Sequence, residues 1–167
     1  MIKAIETRRS QRSYTGKPIS KVSILEIIKA GTKAPSGKNG QPWRFVVIHE
    51  DKKLIGAVSD LSIYRSFMCQ ADCLIAVYLD ESVSYNHLKD AQAIGACIQN
   101  MLLQAEELGI GSCWIGEILS NAEAVNRLLI GGNKNLELMA VIIFGYADKK
   151  PSAPPTKAFE ECIIQCN

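Results

Sequence analysis

The sequence predicts a single α+β domain spanning residues 1–167. Three observations carry that prediction. Helix-period and strand-like apolar segments interleave irregularly, no internal repeat or linker separates two cores, and 167 residues suffice to bury one core without staples. A composition 47% hydrophobic and 22% charged fits neither a disordered tail nor a fibrous repeat.

The elements follow in order. Ile2, Ile5 and Arg8/Arg9 stand at helical spacing, so Ile2 to Arg9 reads as a short helix whose end delivers a basic cluster. After Gly16 and Pro18, Ser20 caps a helix through Ala30, with Val22, Leu25 and Ile28 on one face and Gly31 placed to end it. Ala34 to Pro42 holds two prolines and two glycines with Ser36, Asn39 and Gln41, and reads as a loop with exposed backbone donors. Arg44 to His49 contains Phe45-Val46-Val47-Ile48 without alternation, as expected of a strand covered on both faces, and Cys73 to Leu79 reads the same way. From Asn86 to Leu108, the residues Ala93, Ile94, Cys97, Ile98, Met101, Leu102, Ala105 and Leu108 form the apolar stripe of a long helix that Gly109 ends. Gly95 and Ala96 leave that helix open to a close backbone neighbour, either in the core or in a second subunit. Gly111 to Gly116 is a short strand or turn, Ala122 to Leu129 a helix, and Leu136 to Tyr146 a final strand. Pro151, Pro154 and Pro155 keep the tail irregular, yet Phe159, Ile163 and Ile164 are apolar and are expected to dock on something.

Composition also excludes partners. The net charge of +2 is spread without a basic block, so neither nucleic acid nor an anionic membrane is expected, and no apolar run approaches the roughly 20 residues of a membrane span. Met1 to Glu6 lacks the apolar core of a signal peptide, so a cytoplasmic location is expected. There the six cysteines are expected as thiols, mostly filling the core. Cys69 with Cys73, and Cys162 with Cys166, are spaced unlike zinc ligands, and no metal is expected.

Arg8, Arg9, Ser10 and Arg12 bring guanidinium forks and a hydroxyl within a few residues, the donor set a phosphate needs, although solvated basic helix ends are also common. His49 and His87 sit in no triad or metal motif, and no Gly-x-Ser-x-Gly elbow, His-Glu-x-x-His pair or phosphate-loop motif occurs. Gly109-Ile110-Gly111 lacks the third glycine of a dinucleotide fingerprint and follows a helix. With no protein acid, base or nucleophile in evidence, a cofactor with its own reactivity, such as a flavin, is the economical source of chemistry.

At four places in order the chain resembles the flavin-dependent nitroreductase family. These are Arg8-Arg9-Ser10-Gln11-Arg12-Ser13-Tyr14, then Ala34 to Phe45, then the long helix with Gly109 to Gly116, and finally Gly145-Tyr146 with the proline-rich tail. The resemblance implies a central mixed, mostly antiparallel sheet flanked by helices, in a homodimer with an extended C-terminal tail and an FMN at each subunit interface. It implies that Arg8, Arg9 and Ser10 contact the phosphate and ribityl chain, and that Arg12 lies near the pyrimidine edge, where its charge would stabilise the reduced ring. Pro35, Ser36, Gly37 and Asn39 would come from the opposite subunit. The amides of Ile115 and Gly116 would face flavin O4 and N5. The family often carries two basic C-terminal residues over the phosphate; here Lys157 is the counterpart of one, while Lys149 and Lys150 lie earlier. Trp43 and Trp114 are expected as core anchors, and Cys113 as a small buried thiol.

The resemblance implies an FMN-dependent oxidoreductase taking hydride from NADH or NADPH and passing electrons to a nitroaromatic, quinone or similar small acceptor in ping-pong fashion. The chemistry lies on flavin N5 and no protein residue is assigned a catalytic acid or base. Alternatives keep the flavin but change the reaction, to flavin reduction, dehalogenation or exchange with a protein electron donor, or remove turnover altogether.

Overall fold

A computed structural model describes residues 1–149, 151–153 and 155–166, so Lys150 and Pro154 of the tail lie outside the described residues. Helices α1 (Lys3–Thr7), α2 (Lys21–Gly31), α3 (Lys52–Ser59), α4 (Arg65–Met68), α5 (His87–Glu107) and α6 (Ala122–Ile130) surround strands β1 (Trp43–His49), β2 (Cys73–Asp80), β3 (Gly111–Ile115) and β4 (Leu136–Gly145). The strands pair antiparallel in the order β1-β2-β4-β3. An isolated parallel bridge between Ser10 and Ser112 sets the N-terminal segment along the outside of β3.

Helices cover both faces of the sheet. On one face Ile75, Val77, Ile142 and Phe144 pack with Ile24 and Ile27 of α2 and with Ile94, Ile98 and Met101 of α5. On the other, Leu74, Tyr78, Val141 and Ile143 pack with α3, α4 and α6. β2 lies between β1 and β4 and is buried along its whole length, which is why its apolar run does not alternate. β1 is an edge strand, and here the expectation of two covered faces fails: Val47 is 42% exposed because β1 pairs with β2 alone.

α5 follows its sequence pattern closely. Asn86 caps it by accepting from the Lys89 amide, the predicted apolar positions through Ala105 are buried, and Gly109 ends it at φ +70°. In α2 Ser20 caps as expected, but the buried face is Ile24 and Ile27; Val22 and Leu25 are exposed. Ile24, Ile27 and Gly31 share one side of the helix, opposite Glu26 and Lys29, and Gly31 marks the closest approach to α5. A Cβ there would stand 2.7 Å from Met101 Cγ and 3.0 Å from Cys97 Sγ, so α5 claims that side.

Two short helices stand outside the elements read from the sequence. α3 starts where the Asp51 carboxylate accepts from the Leu54 amide, and α4 is a single turn. Only Cys73, Cys97 and Cys113 fill the core, whereas Cys69, Cys162 and Cys166 are exposed, which corrects the expectation for the cysteines. Phe159, Ile163 and Ile164 are exposed too, so the tail's apolar end finds no cover on its own chain. Among the described residues no helix is long and apolar enough to cross a membrane.

Asp72, buried beside β2, ties three elements together. Its carboxylate accepts from the Ile19 amide at 2.8 Å and from Lys52 Nζ at 3.0 Å, with His49 Nε2 at 3.3 Å. Burial alone would raise its pKa, but the Ile19 amide, Lys52 and His49 outweigh burial and hold the carboxyl below the usual range. A lowered folded-state pKa means that the stabilisation is complete above the unfolded value of about 4 and is lost as pH falls through the lower folded value. Asp72→Asn should therefore flatten the acid limb of stability below about pH 4, measured by urea unfolding at a series of pH values. An acid limb as steep as that of the unmodified protein would contradict the assignment.

Candidate functional site

The segment after α1 turns extended at Arg8, with φ −56° and ψ 130°, and runs along the outer edge of β3. The Gln11 amide donates to the Ser112 carbonyl at 2.8 Å, and the Thr15 amide donates to the Tyr146 carbonyl at 3.0 Å. Gln11 is buried, with its side-chain amide donating to the carbonyls of Ser13 and Lys149, and the Tyr14 hydroxyl donates to the Gln11 carbonyl at 2.7 Å. Two glycines admit this clamp. A Cβ on Gly111 would lie 2.8 Å from Gln11 Cγ, and one on Gly145 would lie 2.6 Å from Tyr14 Cδ1.

With Gln11 and Tyr14 turned inward, the arginines and Ser10 are left at the rim. Arg9 Nη1 donates to the Glu6 and Arg8 carbonyls at 2.8 Å, and Arg12 Nη1 reaches the Ser10 carbonyl at 3.5 Å. Among the described residues none of Arg8, Arg9 and Arg12 pairs with a carboxylate, whereas Arg44 and Arg65 do. Three guanidiniums without a carboxylate partner and one hydroxyl are a donor set that could serve an anion. Beneath them lies Cys113. Burial pushes its thiol up, partly offset by Arg12, a hydrogen bond with Ser10, and Arg8. It is a buried thiol, as expected.

At the end of β3, Ile115 is buried and Gly116 is exposed. A Cβ on Gly116 would meet only Trp114 Nε1, at 4.0 Å, so its backbone stands open to a ligand. The indole of Trp114 is 41% exposed beside it, while Trp43 is buried; the core-anchor expectation holds for Trp43 and is corrected for Trp114. The strand's alternation sends Cys113 and Ile115 into the core on the α3, α4 and α6 side and leaves Trp114, paired with Ile142, on the opposite face.

The loop from Ala34 to Pro42 is a second construction. Lys38, Asn39 and Gln41 adopt φ of +52°, +56° and +47°, and Ser36 Oγ accepts from the Gln41 amide at 3.0 Å. Gly37 is required by contact, since a Cβ there would overlap the Tyr85 hydroxyl. Pro35, Ser36 and Gly37 line a shallow groove of about 290 Å³ with Tyr85, Lys89 and Gln92.

The chain does not bring these two constructions together. The loop lies against the first turns of α5, around Lys89 to Ala96, whereas Arg9 and Gln11 line a cleft with Glu106, Gly109 and Ile110 at its far end. From Gln92 to Glu106 the helix rises about 20 Å. Lys157 is exposed in the tail, and among the described residues no contact places it beside the arginines. A larger cleft of about 490 Å³, lined by Glu81, Glu123, Arg127 and Lys134, has charges of both signs and belongs to neither construction. Sequence reasoning missed Gln11 and Tyr14 as the clamp, and Tyr85 and Lys89 as neighbours of the loop. Their only local signal was a glutamine and an aromatic set among arginines, and an aromatic just before a helix cap.

Comparison with known proteins agrees with this architecture. The model of the nitroreductase family matches residues 5–65 and 56–146. A protein of Archaeoglobus fulgidus named "Putative NADH dehydrogenase/NAD(P)H nitroreductase" is 35% identical over 148 residues, covering 87% of this chain and 84% of that one. An FMN reductase of Bacillus subtilis is 27% identical over 175 residues, covering 92% and 70%. The crystal structure of a "putative nitroreductase in complex with fmn" from Desulfovibrio desulfuricans superposes with a TM-score of 0.91 at 34% identity, covering 99% of this chain and 96% of that one. With the basic N-terminal segment, the proline-serine loop and all four strands inside the matched residues, this chain belongs to the nitroreductase family.

Proposed function

We propose that the protein is an FMN-dependent oxidoreductase that takes electrons from NADH or NADPH and delivers them to a small flat acceptor such as a quinone or nitroaromatic compound. The observation that carries this reading is the set of three guanidiniums without carboxylate partners among the described residues, carried with Ser10 on the segment that runs along β3, the strand that ends at the open backbone of Gly116. That donor set fits the group: forked cations and a hydroxyl suit a phosphate and sugar chain, and a bare glycine amide suits a ring edge. Names among the relatives support it, one being an FMN reductase and one a structure holding FMN.

When bound, FMN would supply two-electron chemistry between the nicotinamide donor and the acceptor, with protons from solvent. The chain's own groups bind and orient. Arg8, Arg9 and Ser10 hold the phosphate and ribityl chain, with Lys157 brought over the phosphate. Arg12 holds positive charge at the pyrimidine edge, and the amides of Ile115 and Gly116 face O4 and N5.

Pro35, Ser36, Gly37 and Asn39 complete the site from a second copy of the chain. The ends of α5 argue for this. About 20 Å of helix separates the loop from the arginines within one chain, whereas two copies related by a two-fold axis with their α5 helices antiparallel would bring the loop of each beside the arginines of the other. Gly95 meets nothing of its own chain within 4 Å, which leaves that part of the helix surface free for such a neighbour. Donor and acceptor would use one open face in turn, giving ping-pong kinetics.

The test is an absorption spectrum of the purified protein followed anaerobically on adding NADH or NADPH, with sedimentation to count subunits. A flavin spectrum that bleaches and returns when a quinone is added is the expected result. Protein that refuses added FMN and sediments as one chain would overturn the reading.

A further inference from the structure

Beside the proline-serine loop stands a cluster that the flavin does not use. The Tyr85 ring, 39% exposed, has Lys38 Nζ at 4.8 Å and Lys89 Nζ at 5.6 Å from its centroid. Neither ammonium is paired with a carboxylate among the described residues. The nearby acids are otherwise engaged. Asp90 is buried and accepts from Ser84 Oγ and from the Tyr85 and Asn86 amides, and Glu137 pairs with His87 at 2.7 Å.

The cluster is fixed in place from both sides. Lys38 sits in the left-handed region at φ 52° and ψ 19° inside the loop's tight turn, and Gly37 is pressed under the Tyr85 hydroxyl. Lys89 belongs to the first turn of α5, whose cap is the Asn86 side chain. An exposed ammonium held over a tyrosine is a weaker contact than a charge-assisted hydrogen bond to an anion, so a phosphate would draw both lysines from the ring. The turn's backbone and the ring keep them close enough to meet the same ligand.

We infer that Lys38, Lys89 and Tyr85 form the docking site for the diphosphate of the nicotinamide dinucleotide donor. This rests on the function proposed above. In that arrangement the loop flanks the flavin of the other chain, and the two lysines stand at its rim. Of the partners which the reaction demands, the quinone or nitroaromatic acceptor is neutral, whereas the donor carries a diphosphate. Two unneutralised ammoniums therefore select the donor. Tyr85 gives the adenosine or ribose an apolar edge once the lysines leave its ring.

The experiment uses FMN-loaded protein and ADP-ribose, which carries the diphosphate but cannot reduce the flavin. Calorimetry should show binding that weakens steeply with salt. Lys38→Asn combined with Lys89→Gln should weaken it at least tenfold and flatten the salt dependence; asparagine at 38 tolerates the left-handed backbone. Stopped-flow reduction gives a second reading, in which the rate ratio of NADPH to the uncharged 1-benzyl-1,4-dihydronicotinamide should fall by a similar factor. If ADP-ribose fails to bind, or binds the variant as tightly, or if the rate ratio is unmoved, the inference falls alone. If the protein takes up no FMN, the functional reading falls and takes this one with it.

Discussion

Arg8→Ala protein is expected to emerge with little flavin and to bind added FMN about 10- to 100-fold more weakly, the loss of one charge-assisted contact to a phosphate. Arg8 has no carboxylate partner among the described residues, so its removal leaves no orphaned acid and fold stability should hold. Arg12→Ala should behave differently. Its guanidinium reaches back to the Ser10 carbonyl, and its proposed partner is the negative charge that develops on the reduced ring. Removing it should lower the two-electron potential by roughly 30–60 mV, the equivalent of 1.5–3 kcal/mol, with a smaller change in affinity. Fluorescence titration and equilibrium reduction against a reference dye read the two quantities. Equal changes in both quantities for both variants would contradict the division of roles.

Gly145→Ala is the second large effect, and it acts through the clamp. The new Cβ would stand 2.6 Å from Tyr14 Cδ1 and 3.0 Å from Cγ, at a buried position where the ring cannot rotate away freely. Overpacking of this kind costs about 1–3 kcal/mol. Because Tyr14 holds Gln11 by its hydroxyl, and Gln11 holds Ser112 and Lys149, displacing the ring loosens the segment bearing the arginines. Stability and flavin content should therefore fall together. Adding Tyr14→Ala to Gly145→Ala makes room, so in denaturant titrations the two substitutions should be clearly non-additive. Additive losses would show that the contact is not what Gly145 serves.

Much of this fold was legible because it rests on local rules. The α5 stripe from Ala93 to Ala105, the Ser20 cap and the unalternating β2 each announce themselves within a few residues. The face of α2 is legible too, in Ile24, Ile27 and Gly31 opposite Glu26 and Lys29, and the expectation built on Val22 and Leu25 overlooked it. The half-covered β1 was missed because being an edge strand is a property of the sheet, not of the strand. The candidate site divides in the same way. Arg8 to Arg12 and Pro35 to Asn39 are contiguous and could be read as motifs. Gln11 on Ser112, Tyr14 under Gly145 and Lys38 over Tyr85 join positions far apart in the chain, and no window of sequence contains both partners.

The span of α5 has a thermodynamic consequence. If each flavin is gripped by the amino-terminal cations of one protomer and the turn of another, then cofactor and protomer are ligands for one another. Every flavin bound lowers the concentration at which two chains stay associated, and dilution strips the flavin by separating the chains.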